Sequence, residues 1–158
     1  MTVMPFAMGL ICVLLAFVPL GRIVGSSLTP AFPLMAIYYW AVVKPEMFPP
    51  VAVLAVGLMF DLLSGGAIGL WALVYVVTYA VVISQRMLLV NAPFSAFWIG
   101  FLATAVFAGF LAWVIVSVIH GIFVPPSSVV RHMAVTVAVF PIFAMLFGRI
   151  QTRALQGG

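Results

Sequence analysis

The sequence predicts an all-α integral membrane protein: a six-transmembrane-helix bundle forming one polytopic domain over residues 1–158. Three observations carry this. Hydrophobic residues make up 67% of the chain and charged residues 5%, and mean hydropathy is +1.40, which leaves too little polar surface for a soluble fold. A length of 158 residues, at roughly 20 apolar residues per crossing of a ~30 Å hydrocarbon core, has room for five or six spans and no sizeable extramembrane domain. Glycine and proline interrupt the apolar runs where helices would start and stop.

The first span, residues 4–20, ends at Gly21, Arg22 and the Gly25-Ser26-Ser27 turn. It lacks the basic leader and small-residue cleavage site of a secretory signal, so it reads as a retained helix. Cys12 lies inside it without a mate, as buried filler. The second span, 30–43, begins at Pro30 and Pro33, residues suited to a first helical turn. It closes with Tyr38, Tyr39 and Trp40 ahead of Lys44 and Pro45, which reads as an aromatic and lysine belt at headgroup level. The third, 50–64, follows Pro49-Pro50, carries Gly57 and Asp61, and stops at the Gly65-Gly66 turn. The fourth, 67–85, stops at Gln85-Arg86. The fifth, 94–120, opens after Asn91 and Pro93 and exceeds what a bilayer requires, so a tilt or kink is expected. Pro125-Pro126-Ser127-Ser128 closes that segment, and the sixth span, 131–150, carries Pro141, expected to bend it, before a short polar tail.

The net charge of +4 does not indicate nucleic acid, because the six basic residues sit singly at the ends of apolar runs and act as topology signals. With six spans, Lys44, Arg86, Arg149 and Arg153 share one side and Arg22 and Arg131 the other. The positive-inside rule then puts both termini in the cytoplasm and the Gly25, Gly65 and Pro125 loops outside.

Asp61 is the only aspartate, flanked by long uncharged stretches. A carboxylate at the centre of a membrane helix costs about 2.5–3.5 kcal/mol on insertion scales, so it needs a partner or a role. Arg22 and Arg131 lie at comparable depth and offer an intramembrane ion pair. The carboxylate could instead cap backbone N–H groups of the Gly65-Gly66 turn, contact a partner protein, or relay protons. A relay is disfavoured because the only other acid, Glu46, is at the opposite end. His120 and His132 lack a third ligand, so no metal is expected. Ser64, Ser117, Ser127 and Ser128 lack a base and acid, and no phosphate-binding glycine loop is present, so neither catalysis nor a cofactor is expected.

Gly57, Asp61 and Gly65 recur at a spacing of four, and Gly69 continues it across the turn. Small residues so spaced admit another helix closely. Gly100, Thr104, Ala108 and Ala112 form a second such face. Each serves either internal packing or docking of a helix from another protein.

The order Pro33, Tyr38-Tyr39-Trp40, Lys44-Pro45, then Gly57-Leu58-Met59-Phe60-Asp61-Leu62-Leu63-Ser64-Gly65, Gly69-Leu70 and Ala72-Leu73 resembles the MreD family of rod shape-determining proteins, most sharply over residues 30–75. The resemblance implies a non-enzymatic component of the bacterial inner membrane that works with MreC, the RodA glycosyltransferase and its partner transpeptidase, and indirectly with MreB, in cell-shape maintenance and lateral peptidoglycan synthesis. It also implies a fold resembling the substrate-binding subunits of energy-coupling-factor transporters, hence an alternative: a vitamin-binding membrane subunit. Those subunits show alanines four apart on the first helix, whereas here Ala7 is followed by Ile11 and Ala16 by Leu20. A solute pocket would have mainly Thr78, Thr104, Ser117 and Thr136 to draw on. The expected mechanism is therefore a membrane-embedded adaptor among lipids, with the glycine face at Gly57 receiving the membrane helix of MreC.

Overall fold

A computed structural model describes residues 3–17, 31–121 and 125–156. They form six α-helices: α1 (Val3–Phe17), α2 (Phe32–Val43), α3 (Pro50–Ser64), α4 (Leu70–Leu89), α5 (Phe94–His120) and α6 (Pro126–Gln156), with a 3-10 turn at Pro45–Met47. Proline sits in the first turn of α2 and α3, where its missing N–H costs nothing. Gly65 ends α3 at φ +66° and Gly69 precedes α4 at φ +97°, backbone angles that favour glycine and fold the two helices into a tight hairpin.

Helix α2 is the centre. Every residue from Phe32 to Val42 is buried, and α2 touches all five other helices, which follow around it in the order α1, α3, α4, α5, α6. Its aromatic residues form the core. Tyr38 meets Phe97, Phe101 and Phe140 at centroid distances of 5.1, 5.3 and 5.6 Å, and Phe101 stacks on Phe140 at 3.8 Å. The outward sides of α3, α4, α5 and α6 carry exposed apolar residues such as Leu62, Leu73, Val106 and Ile142, as a lipid-facing bundle requires.

Helix lengths revise the expectation of six full spans. By length and apolarity, Leu70–Leu89, Phe94–His120 and Val129–Arg149 can cross a membrane, whereas Phe6–Ala16, Phe32–Val43 and Pro50–Ser64 are shorter. At 1.5 Å per residue α2 is roughly 18 Å long. It is therefore shorter than a hydrocarbon layer of about 30 Å, so at least one of its ends falls inside that layer, where unpaired backbone groups are costly.

The expected aromatic belt is also corrected. Tyr38, Tyr39 and Trp40 are buried within the protein, at 0, 6 and 1% exposure. The Trp40 indole N–H, which a belt position would present to headgroups, has no acceptor among the described residues. Only Lys44, half-buried after α2, sits where chain leaves the helix. Helix α6 begins at Pro126, inside the stretch expected to be a loop, because proline is tolerated at the first helical position.

Candidate functional site

Several polar side chains meet backbone groups at or near the ends of helices. At the start of α2, the Ala31 amide donates to Thr136 Oγ1 of α6 at 3.0 Å, while that hydroxyl donates to His132 O at 2.8 Å. At the other end, Arg86 Nε of α4 donates to Val42 O at 3.0 Å, one of the last carbonyls of α2. In the connection that follows, Tyr79 OH donates to Phe48 O at 2.7 Å. Thus α4 and α6 supply the partners that the short central helix cannot find in itself.

Asp61 is the most developed case. It is 1% exposed, in the last turn of α3. Its Oδ2 accepts from Gly69 N at 2.8 Å and Ala72 N at 3.2 Å, and its Oδ1 from Trp71 N at 3.0 Å. These are the donors that the first turn of α4 leaves free, and Gly69 at the cap position has no side chain to take them. A carboxylate near the C-terminus of α3 opposes that helix's dipole but lies against the positive end of α4, and the second contact offsets the first. The acid is a clasp between two helix ends.

Gly57 lies one turn earlier on the same face. A Cβ there would collide with Ala72 Cα and come within 2.9 Å of Ala72 N. Absence of a side chain at Gly57 thus lets α3 lie directly on the backbone of α4, which brings Asp61 into reach of the amides.

Several expectations are revised by this geometry. The Asp61–Arg131 ion pair is not formed: no ion pair reaches Asp61 among the described residues, and Arg131 is exposed with its Nε donating to Ser127 O at 3.3 Å. Arg22, the other expected partner, lies outside the described residues. Capping occurs, but on Gly69, Trp71 and Ala72 rather than on the Gly65-Gly66 turn. The space beside Gly57 is filled by the chain's own Ala72, so it cannot seat a foreign helix. Gly65 and Gly69 have open space where a Cβ would be and shape the turn through their positive φ. On the second small-residue face, a Cβ at Gly100 would meet Leu89 and the Tyr38 hydroxyl, and Ala108 and Ala112 are buried, so that face too is used internally. Arg86 lies 3.8 Å from Glu46, placing this pair and Lys44 at one end of the bundle.

Sequence reasoning overlooked the clasping roles of Thr136, Tyr79 and Arg86. A signal existed for one of them: an arginine ending α4 lies at the same end of the bundle as the free carbonyls ending α2. Among the described residues no group of three or more His, Cys, Asp or Glu could hold a metal ion.

The family model described as rod shape-determining protein MreD matches residues 1–149. No curated protein and no solved structure matches the chain. A family match over nearly the whole length, on an all-helical bundle with three helices long and apolar enough to span, establishes that this multi-pass membrane protein belongs to the MreD family and has a role in rod shape determination.

Proposed function

We propose that the chain is a non-enzymatic adaptor of the bacterial elongation machinery, seated in the inner (cytoplasmic) membrane with both termini in the cytoplasm. It binds MreC and so supports lateral peptidoglycan synthesis, with RodA and its partner transpeptidase as further partners and MreB engaged indirectly. One observation carries the reading beyond family membership: Asp61, the acid on which a transport or relay function would turn, has its two oxygens committed to three amides of α4. It holds helices together. The grouping of Lys44 and Arg86 at one end supports the proposed orientation.

Partner binding then falls to the lipid-facing side chains, since Gly57 is closed by Ala72. The test is recovery of native partners in mild detergent. MreC should co-purify with the tagged chain. Recovery instead of an ATPase motor, or of a bound vitamin, would favour the transporter-subunit alternative and overturn the adaptor reading.

A further inference from the structure

An apolar groove of about 480 Å³ runs between α5 and α6 on the side away from α3. On α5 it extends from Leu102 to Trp113, and on α6 from Val137 up to Val129. Eleven residues of rise along α5 make it roughly 16 Å long. That is the depth of one leaflet of a ~30 Å hydrocarbon core. Its upper end lies beside the start of α6, where Arg131 follows directly on the groove-lining Val130.

Arg131 is exposed, and its Nε bond to Ser127 O draws the side chain one turn back towards the helix start, away from the hydrocarbon. Its terminal nitrogens have no partner among the described residues, and the one carboxylate at this end, Asp61, is buried and committed to α4. A cation without a counter-charge among the described residues therefore stands on the lipid side of α6, next to Val130 at the upper end of a slot lined by apolar side chains and about one leaflet long.

We infer that this groove binds an anionic diacyl phospholipid, one acyl chain lying between α5 and α6 and the phosphate held by Arg131. The uncompensated charge of Arg131 beside the slot favours an occupant with an anionic headgroup over an apolar transmembrane helix. The inference rests on the groove and Arg131 and does not depend on the adaptor reading.

The test uses the full chain in mild detergent, stripped of lipid and titrated with phosphatidylglycerol carrying brominated chains or with phosphatidylcholine carrying the same chains. Quenching of tryptophan fluorescence reports binding, and the Trp113→Phe variant identifies the signal from the groove. Phosphatidylglycerol should quench Trp113 at about one-fifth the concentration of phosphatidylcholine, the ratio that one arginine near an anionic headgroup supplies. Arg131→Gln should equalise the two lipids, Arg131→Lys should retain the preference, and Ala134→Phe on the exposed rim should abolish Trp113 quenching by both. Equal midpoints in the unmodified chain, or a preference that survives Arg131→Gln, would overturn the inference. So would Trp113 quenching that persists when Ala134→Phe fills the slot, since the chain would then lie elsewhere, as would protection of Trp113 only by a co-purified membrane helix.

Discussion

Replacing Asp61 by asparagine breaks the clasp between α3 and α4 with almost no change of shape. The carboxylate holds three amides with two oxygens, Gly69 and Ala72 on Oδ2 and Trp71 on Oδ1. Asparagine has one acceptor oxygen. In its better orientation it keeps Gly69 and Ala72 and turns its NH2 group towards the Trp71 amide, setting donor against donor. A buried amide left unpaired costs about 1–3 kcal/mol, and loss of the charge at a helix N-terminus up to about 2 kcal/mol when partly buried. Interhelical hydrogen bonds in membranes average nearer ~0.6 kcal/mol, because the inserted but unfolded chain finds other partners, so the lower part of that range applies. The expected loss is roughly 1.5–3 kcal/mol for Asp61→Asn and roughly 3–4 kcal/mol for Asp61→Ala, which removes all three bonds.

Unfolding by increasing mole fraction of sodium dodecyl sulfate in mild-detergent micelles, followed by tryptophan fluorescence, measures this, and Trp71 stands at the clasp as a reporter. Asp61→Asn should shift the midpoint downwards and Asp61→Ala further. A relay or partner contact predicts the opposite pattern: an unchanged midpoint with loss of shape support in cells. That result for Asp61→Asn would refute the clasp.

Gly57→Ala should cost about 1–3 kcal/mol in the same unfolding assay, because the added methyl meets the backbone of Ala72, and Gly57→Leu should shift the chain to aggregate on size-exclusion chromatography rather than only release a partner. Thr136→Val keeps the shape but removes the acceptor for the Ala31 amide, so a loss of about 1–3 kcal/mol and faster hydrogen exchange at Ala31 are expected. Arg86→Met should cost about 1–3 kcal/mol through Val42 O, whereas Glu46→Gln should stay within about 0.5 kcal/mol, since Glu46 is 72% exposed and its ion pair spans 3.8 Å. Comparable losses for the last two variants would mean that the ion pair, not the carbonyl bond, holds that end.

What could be read in the chain followed from local chemistry. The all-helical class, the proline-led starts of α2 and α3 and the Gly65 stop come from backbone preferences that act within a few residues. The role of Asp61 was legible in kind, since a buried carboxylate must find donors. The choice of donors was not, because arginines at matching depth look better in one dimension than amides eight to eleven residues along. The signal was Gly69, a helix cap with no side chain to do the capping. Tyr38, Tyr39 and Trp40 misled for a different reason. Aromatics beside a lysine look the same whether they face headgroups or a protein core, and only the enclosure of α2 by the other helices, which buries all three, shows that they face inwards. Gly57 shows the same ambiguity, because small residues four apart admit a neighbouring helix without saying whose.

The short central helix also explains where the polar residues went and what remains for recognition. An end of α2 inside hydrocarbon needs a donor or acceptor from a neighbour, and Thr136 on α6 and Arg86 on α4 provide them. The hairpin turn between α3 and α4 needs an acceptor for the first amides of α4, and Asp61 provides it. Thr136, Arg86 and Asp61 are each spent on closing the bundle, so substitutions among them act through folding. The outside is left with side chains such as Leu54, Leu58 and Leu62 on α3, all exposed. In lipid such surfaces attract a neighbour through shape and close contact rather than through burial from water. Changes of recruitment without loss of stability should therefore map to the exposed apolar faces, and changes of stability to the inward polar groups. Alanine substitution of Leu54, Leu58 and Leu62 together, compared with Thr136→Val, separates the two. Should the leucine variant unfold as readily as Thr136→Val, the division between a closed interior and a recruiting exterior would not hold.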